Sequence, residues 1–284
     1  MTGPAPEDAD EVTVEKTGPA DAGEGSSADE KAEPAPKSRL HRVAAFLGEA
    51  GVAVLVTLVL TALLRVFVMQ IFQVPSGSME HTLEERDRIA AVRLAGFERG
   101  DVVVFEDPDG RWMGPQPEAR NPVRRFMEGI YLLPDSSQGY LVKRVIGMPG
   151  DHVVCCKQTG AITVNGVALE ESGYLYTNTA GQQVAPSDTP FDVVVPADHI
   201  FVMGDHRDRS GDSRLHLCEP TGDGRPAGMN GFVPMGNVVG PVKAIVLPLG
   251  RVRGFEIPDT FSRIPPGGTP PAQPVVGAGS CPGR

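Results

Sequence analysis

The chain has 284 residues, 40% hydrophobic and 6% aromatic, with a formal net charge of −10. That suffices for one domain of roughly 200 residues plus appendages, and excludes a single globule using the whole length. Residues 1–36 carry ten acidic side chains against two lysines, so the rest is close to neutral and charge-driven binding of nucleic acid is excluded.

The acidic stretch is rich in Ala, Pro, Gly and Ser and has little to bury, so residues 1–42 are expected to form a disordered tail. Lys37, Arg39, His41 and Arg42 then lead into an apolar segment. Its uncharged core, Ala50 to Leu64, is 15 residues long; counted from Val43 it reaches 22, about 33 Å as a helix, with Glu49 and Arg65 near the ends where each can reach the interface. This predicts a transmembrane helix over 43–66, and the basic flank places the N-terminus in the cytoplasm and everything beyond Arg65 outside. A buried core helix is the alternative. A cleaved signal peptide fits less well, because some 40 residues precede the run and no small-x-small site closes it.

Next comes Val74-Pro75-Ser76-Gly77-Ser78-Met79. Pro75 pushes Val74 towards an extended conformation, and Gly77 permits close backbone approach between two hydroxyls, which suits a nucleophile beside an oxyanion donor. A surface turn is the plainer reading. Branched, apolar runs predict strands over 102–105, 140–146, 151–156, 161–164, 191–195, 199–203 and 238–247, with Asn165-Gly166 closing a hairpin. One further helix is expected over 122–132, capped by Asn121, after a loop-rich insertion at 108–120. The class is therefore mostly β and antiparallel. The Pro/Gly-rich tail 259–284 is too polar and short to cross a membrane.

Cysteines 155, 156, 218 and 281 match no zinc pattern. In an oxidising compartment, one of Cys155 or Cys156 is expected to pair with Cys218; a vicinal pair or free thiols are the alternatives.

A serine nucleophile needs a base, and Lys143 sits in an apolar strand. Alternation places it on the face opposite Val142 and Arg144, so one basic residue points inward. A buried ammonium loses hydration, its pKa falls, and the neutral amine can take a hydroxyl proton near pH 7 or above. An ordinary solvated lysine is the alternative. The stretch from Met203 to Arg214 is a dense polar loop in which Asp212 and Arg214 can form a charge-assisted pair and the Ser210 hydroxyl can hold the lysine amine. A solvated hairpin tip is the bland reading.

Taken in order, the anchor, Pro75-Ser76-Gly77-Ser78-Met79, Gly100-Asp101-Val102-Val103-Val104-Phe105, Lys143-Arg144-Val145-Ile146-Gly147-Met148-Pro149-Gly150-Asp151 and the Gly204-Asp205 to Arg214 loop resemble the bacterial type I signal peptidases, in an actinobacterial-like form. The resemblance implies a membrane-bound Ser/Lys endopeptidase that cuts signal peptides from secretory preproteins after small-x-small residues. It makes Ser78 the nucleophile, Lys143 the general base, and Ser76 an oxyanion donor beside the Ser78 N–H. Ser210 orients Lys143, with Asp205, Arg144, Asp212 and Arg214 in support. It also implies no cofactor or metal, a monomer on the lipid bilayer with its catalytic domain over 67–258 outside, and an apolar edge for which Phe67, Val68, Met69, Ile71 and Phe72 are suited. Two departures stand out. His81 replaces a frequent proline, and the short spacer from Lys143 to Gly204 implies a second β subdomain reduced to residues 151–180. The rivals are a Ser/His enzyme using His206 or His81, and a membrane-anchored, non-catalytic binding or scaffold domain.

Overall fold

The computed structural model describes residues 39–114, 121–122, 139–156, 160–222 and 224–281. The expected tail up to residue 38 and nearly all of the helix expected over 122–132 lie outside them. Two compact units, Met1–Gly51 and Val52–Arg284, divide the chain. Helix α1 spans Arg39–Phe67, beginning four residues before the expected start. Its Val52, Leu55, Leu58 and Leu60 side chains are exposed. Among the described residues no helix is long and apolar enough to cross a membrane.

The second unit is built from two antiparallel sheets. The larger runs in the order β1 (Met69–Gln73), β2 (Arg88–Val92), β11 (Val238–Leu247), β3 (Val102–Glu106), β4 (Tyr140–Gly147), β9 (His199–Met203), β10 (Val233–Pro234), with β12 (Arg253–Gly254) also on β11. The smaller runs β13 (Val275–Val276), β8 (Phe191–Val194), β5 (His152–Cys155), β6 (Ile162–Val164), β7 (Val167–Ala168). Alternation in β3 separates the apolar layers of the larger sheet. Val102 and Val104 pack with Phe72, Met79, Leu83 and Val142, whereas Val103 and Phe105 pack with Val145, Ile200 and Val202. Asn165 and Gly166, both with positive φ, make the turn between β6 and β7.

Several expectations need correcting. β4 lies between β3 and β9, and both its faces are covered, so Lys143 and Arg144 are both buried and not just one of them. The second sheet is not confined to 151–180, since it includes β8 and β13. The tail is not a free appendage: Phe261 and Ile264 enter the core, Pro271 accepts a bond from the Ala197 N–H, and β13 pairs with β8. This is also why the cysteine pairing differs. Docking of the tail brings Cys281 to Cys218, at a Cα separation of 5.5 Å, and Cys155 is bonded to Cys156. Of the suggested apolar edge, Met69 is exposed and Phe72 is core, and the Phe67 side chain lies outside the described residues.

Candidate active site

Ser78 sits in a 3-10 turn, Gly77–Met79, entered from the end of β1 through Pro75. A turn of this kind leaves its first N–H groups without acceptors inside it, so the Ser78 N–H is of the type that can face a developing negative charge. The Ser76 Oγ lies 3.4 Å from the Ser78 Oγ, on the exposed side.

The middle of β4 brings Lys143 to this turn. Its Nζ donates to the Ser78 Oγ at 2.6 Å and to the Val142 carbonyl at 3.2 Å. The side chain is 2% exposed, and burial lowers its pKa from 10.5 to about 8 against the opposing pull of Asp212 and Asp205. At that value roughly a tenth of the amine is neutral at pH 7.

The polar loop after β9 closes over the pair. Asp212 caps a short helix, α2 (Ser213–His216), by accepting from the Arg214 N–H, and is held by Arg214 Nε at 2.9 Å and Nη2 at 2.8 Å. It also accepts from the Gly204 N–H at 3.0 Å. Burial alone raises the Asp212 pKa, but Arg214, the Gly204 amide and the nearby Ser210 hydroxyl outweigh it and keep the carboxyl below its ordinary range. Ser210 does not bond Lys143. Its Oγ is buried without a well-aligned partner, against the Cα of Gly204. A Cβ built on Gly204 falls 2.5 Å from the Ser78 carbonyl oxygen and closer still to the Ser210 Oγ. Gly204→Ala is therefore expected to displace the turn that carries Ser78 and lower the cleavage rate by about 100-fold, read from initial rates on a precursor, since shifts of about 1 Å suffice for that.

A second set of charges lies behind the pair. Asp205 takes two bonds from Arg144, at 2.9 and 2.6 Å, and one from Thr82 Oγ1 at 2.5 Å. Arg144 lies 4.3 Å from the Tyr174 ring centroid, Tyr174 donates to Glu171, and Glu171 pairs with buried Arg207, whose Nε bonds the Gly204 carbonyl. Sequence reasoning found Arg144 and Asp205 but missed Thr82, Glu171, Tyr174 and Arg207. Nothing local marks those four, because each is tied into the set by a residue tens of positions away: Thr82 by Asp205, Tyr174 by Arg144, and Glu171 and Arg207 by one another.

The histidines stand elsewhere. His206 places its ring nitrogens on Glu80, the Gly77 carbonyl and Asp208, and His81 is exposed with a positive φ. Neither bonds the Ser78 Oγ. Among the described residues no cluster of three or more His, Cys, Asp or Glu is placed to hold a metal. A surface concavity of about 520 Å³ between residues 84–88 and 247–251 contains none of these groups.

A hydroxyl in contact with a buried amine of lowered pKa, carried on an antiparallel β scaffold, is the chemistry of a serine hydrolase. The model of the family described as signal peptidase, peptidase S26, matches residues 47–247. The chain is 34% identical over 243 residues to signal peptidase I of Mycobacterium tuberculosis, covering 77% of each, and 29% identical over 242 residues to that of Pseudomonas aeruginosa, covering 77% and 78%. A solved signal peptidase I from Enterococcus faecalis aligns over 52% of this chain and 97% of its own at 21% identity, with a TM-score of 0.26, too low to argue from. The chain belongs to the signal peptidase family, peptidase S26, and is a hydrolase of that kind.

Proposed function

We propose that this protein cleaves signal peptides from secretory preproteins after small-x-small residues, with Ser78 as nucleophile and Lys143 as general base. What carries the reading is the 2.6 Å contact between the Lys143 Nζ and the Ser78 Oγ, with the amine shut off from water. The neutral amine takes the hydroxyl proton as the Ser78 Oγ adds to the scissile carbonyl. The oxyanion is met by the Ser78 N–H and the Ser76 hydroxyl. The Lys143 ammonium then returns its proton to the leaving amine, and a water activated by the same lysine releases the acyl-enzyme. Asp212 with Arg214 holds the chain just after β9 through the Gly204 N–H, and Asp205 links Arg144, next to Lys143, to Thr82 beyond the Ser78 turn, while Ser210 acts through Asp212 by favouring its charged form.

In the same proposal residues 43–66 anchor a monomer in the cell membrane, 1–42 form the cytoplasmic tail, and 67–258 act outside, with the tail 259–281 packed against them. The 22-residue apolar count and the exposed Val and Leu side chains of α1 support the anchor. Detergent-solubilised protein is expected to cut an exported precursor after its small-x-small site, to leave uncut a precursor with Phe at the residue before the cut, and to lose cleavage in Ser78→Ala. Cleavage by Ser78→Ala at the native rate overturns the assignment.

A further inference from the structure

The turn that carries Ser78 is gripped from outside the dyad. His206 reaches it across more than 120 residues of chain. Its backbone N–H donates to the Ser78 carbonyl at 3.1 Å. Its ring Nδ1 lies 2.8 Å from the Glu80 Oε2 and 3.2 Å from the Gly77 carbonyl. One residue thus contacts the residue before the nucleophile, the nucleophile's own backbone, and the residue that ends the turn. Nδ1 faces acceptors only, so it carries a hydrogen.

Both partners are themselves held. The His206 ring stacks on Tyr176 at 3.7 Å between centroids, 20° from parallel, and its Nε2 is 3.1 Å from Asp208. The Tyr176 backbone N–H donates to the Asp205 carbonyl, which ties the ring's platform to the buried Arg144 pair. Glu80 also takes a bond from Arg209 at 3.2 Å. Its side chain folds back over the turn, and a Cβ added at Gly77 falls 2.5 Å from the Glu80 Oε1. The glycine between the two serines therefore gives the Glu80 carboxylate room to reach His206.

We infer that His206 and Glu80 form a clasp that positions the nucleophile turn, setting the Ser78 Oγ against the Lys143 Nζ without taking part in proton transfer. This rests on Ser78 being the nucleophile. A clasp of this kind acts on the step in which the Ser78 Oγ attacks and not on how tightly substrate is held, so its loss falls on kcat, with KM little changed.

The test is single-turnover and steady-state cleavage of a precursor by His206→Ala, His206→Asn, Glu80→Ala, the double variant His206→Ala/Glu80→Ala, and Ser78→Ala. His206→Ala and Glu80→Ala are each expected to lower kcat by about 10- to 100-fold with KM within about threefold, the range that misplacement of a reacting atom produces. The double variant should be no worse than about the more damaged single one, because the two side chains act as one unit. His206→Asn places an amide nitrogen near the Nδ1 position and should recover most of the loss. Glu80 lies at the rim, so its variant reports even if His206→Ala unfolds. His206→Ala with native kcat, losses that add in the double variant, or no recovery in His206→Asn overturn the clasp. His206→Asn as inactive as Ser78→Ala would instead make histidine the base. If Ser78→Ala itself cleaves, the nucleophile assignment underneath has failed, an outcome separable from Ser78→Ala inactive with His206→Ala unimpaired.

Discussion

Lys143→Ala is expected to lower kcat by roughly 10⁴- to 10⁶-fold, the range seen when one member of a nucleophile–base pair is removed. The Ser78 hydroxyl is a poor nucleophile until its proton has somewhere to go, and the Lys143 Nζ, 2.6 Å away, is the only base that contacts it among the described residues. Adding Ser78→Ala should cost little more, because the two groups act as a unit. Under the proposed mechanism the active form is the neutral amine. With a pKa of about 8, kcat/KM should rise about tenfold per pH unit up to pH 8 and then level off. Stability should rise with pH as well, but over the higher interval from about 8 to 10.5. Folding lowers the pKa from 10.5 to about 8, so the unfolded chain binds more protons in that interval and the protonated amine costs roughly 3 kcal/mol below pH 8, relieved as pH rises towards 10.5. Lys143→Met should thus be inactive yet more stable than the native protein at pH 7, and its stability advantage should vanish above about pH 10. Urea unfolding at the two pH values checks this. An inactive variant that is also less stable at pH 7 would mean that the amine is not held at a loss.

Asp205→Ala is expected to destabilise the catalytic unit by roughly 3–5 kcal/mol, the usual consequence of removing one partner from a buried ion pair. The arginine left behind is 4% exposed and cannot turn out to water, since its Nη1 bonds the Gly100 carbonyl and its guanidinium stacks on Tyr174. Thr82 Oγ1 loses its acceptor as well, four residues past Ser78. Against a total of roughly 5–15 kcal/mol this is a large fraction. Asp205→Asn keeps an acceptor for both partners but not the charge, so it should fall between. Denaturant midpoints that shift with an unchanged m-value would support the assignment. A loss below about 1 kcal/mol for Asp205→Ala would contradict it.

Much of the larger sheet was legible. The Val-rich run that became β3 and the Val-Ile run in β4 read as strands because branched side chains on successive residues can fill both faces of a covered sheet. Asn165-Gly166 read as a hairpin because both residues tolerate positive φ. β2 went unseen: Arg-Ile-Ala-Ala-Val has too few branched residues to stand out, and it is a strand because β1 and β11 pair with it on either side. β13, with only Val275 and Val276, is likewise set by its partner. At the candidate site, Ser78 and Lys143 were singled out from their own surroundings, whereas Glu171, Arg207 and the link from Glu80 to His206 were not. Their local sequence is that of any polar turn.

By itself, the sequence determined that the longer branched apolar runs extend and where the chain turns between them, where the apolar span lies, and which hydroxyl and amine are candidates for each other, because those properties depend on neighbours within a few residues. The tertiary structure decided which cysteines pair, that Arg144 is as buried as Lys143, that the tail completes a sheet, and that Ser210 makes no hydrogen bond to the amine. Those outcomes depend on what covers each face once distant segments meet, and a side chain's hydration, partner and protonation follow from that covering and not from its place in the chain.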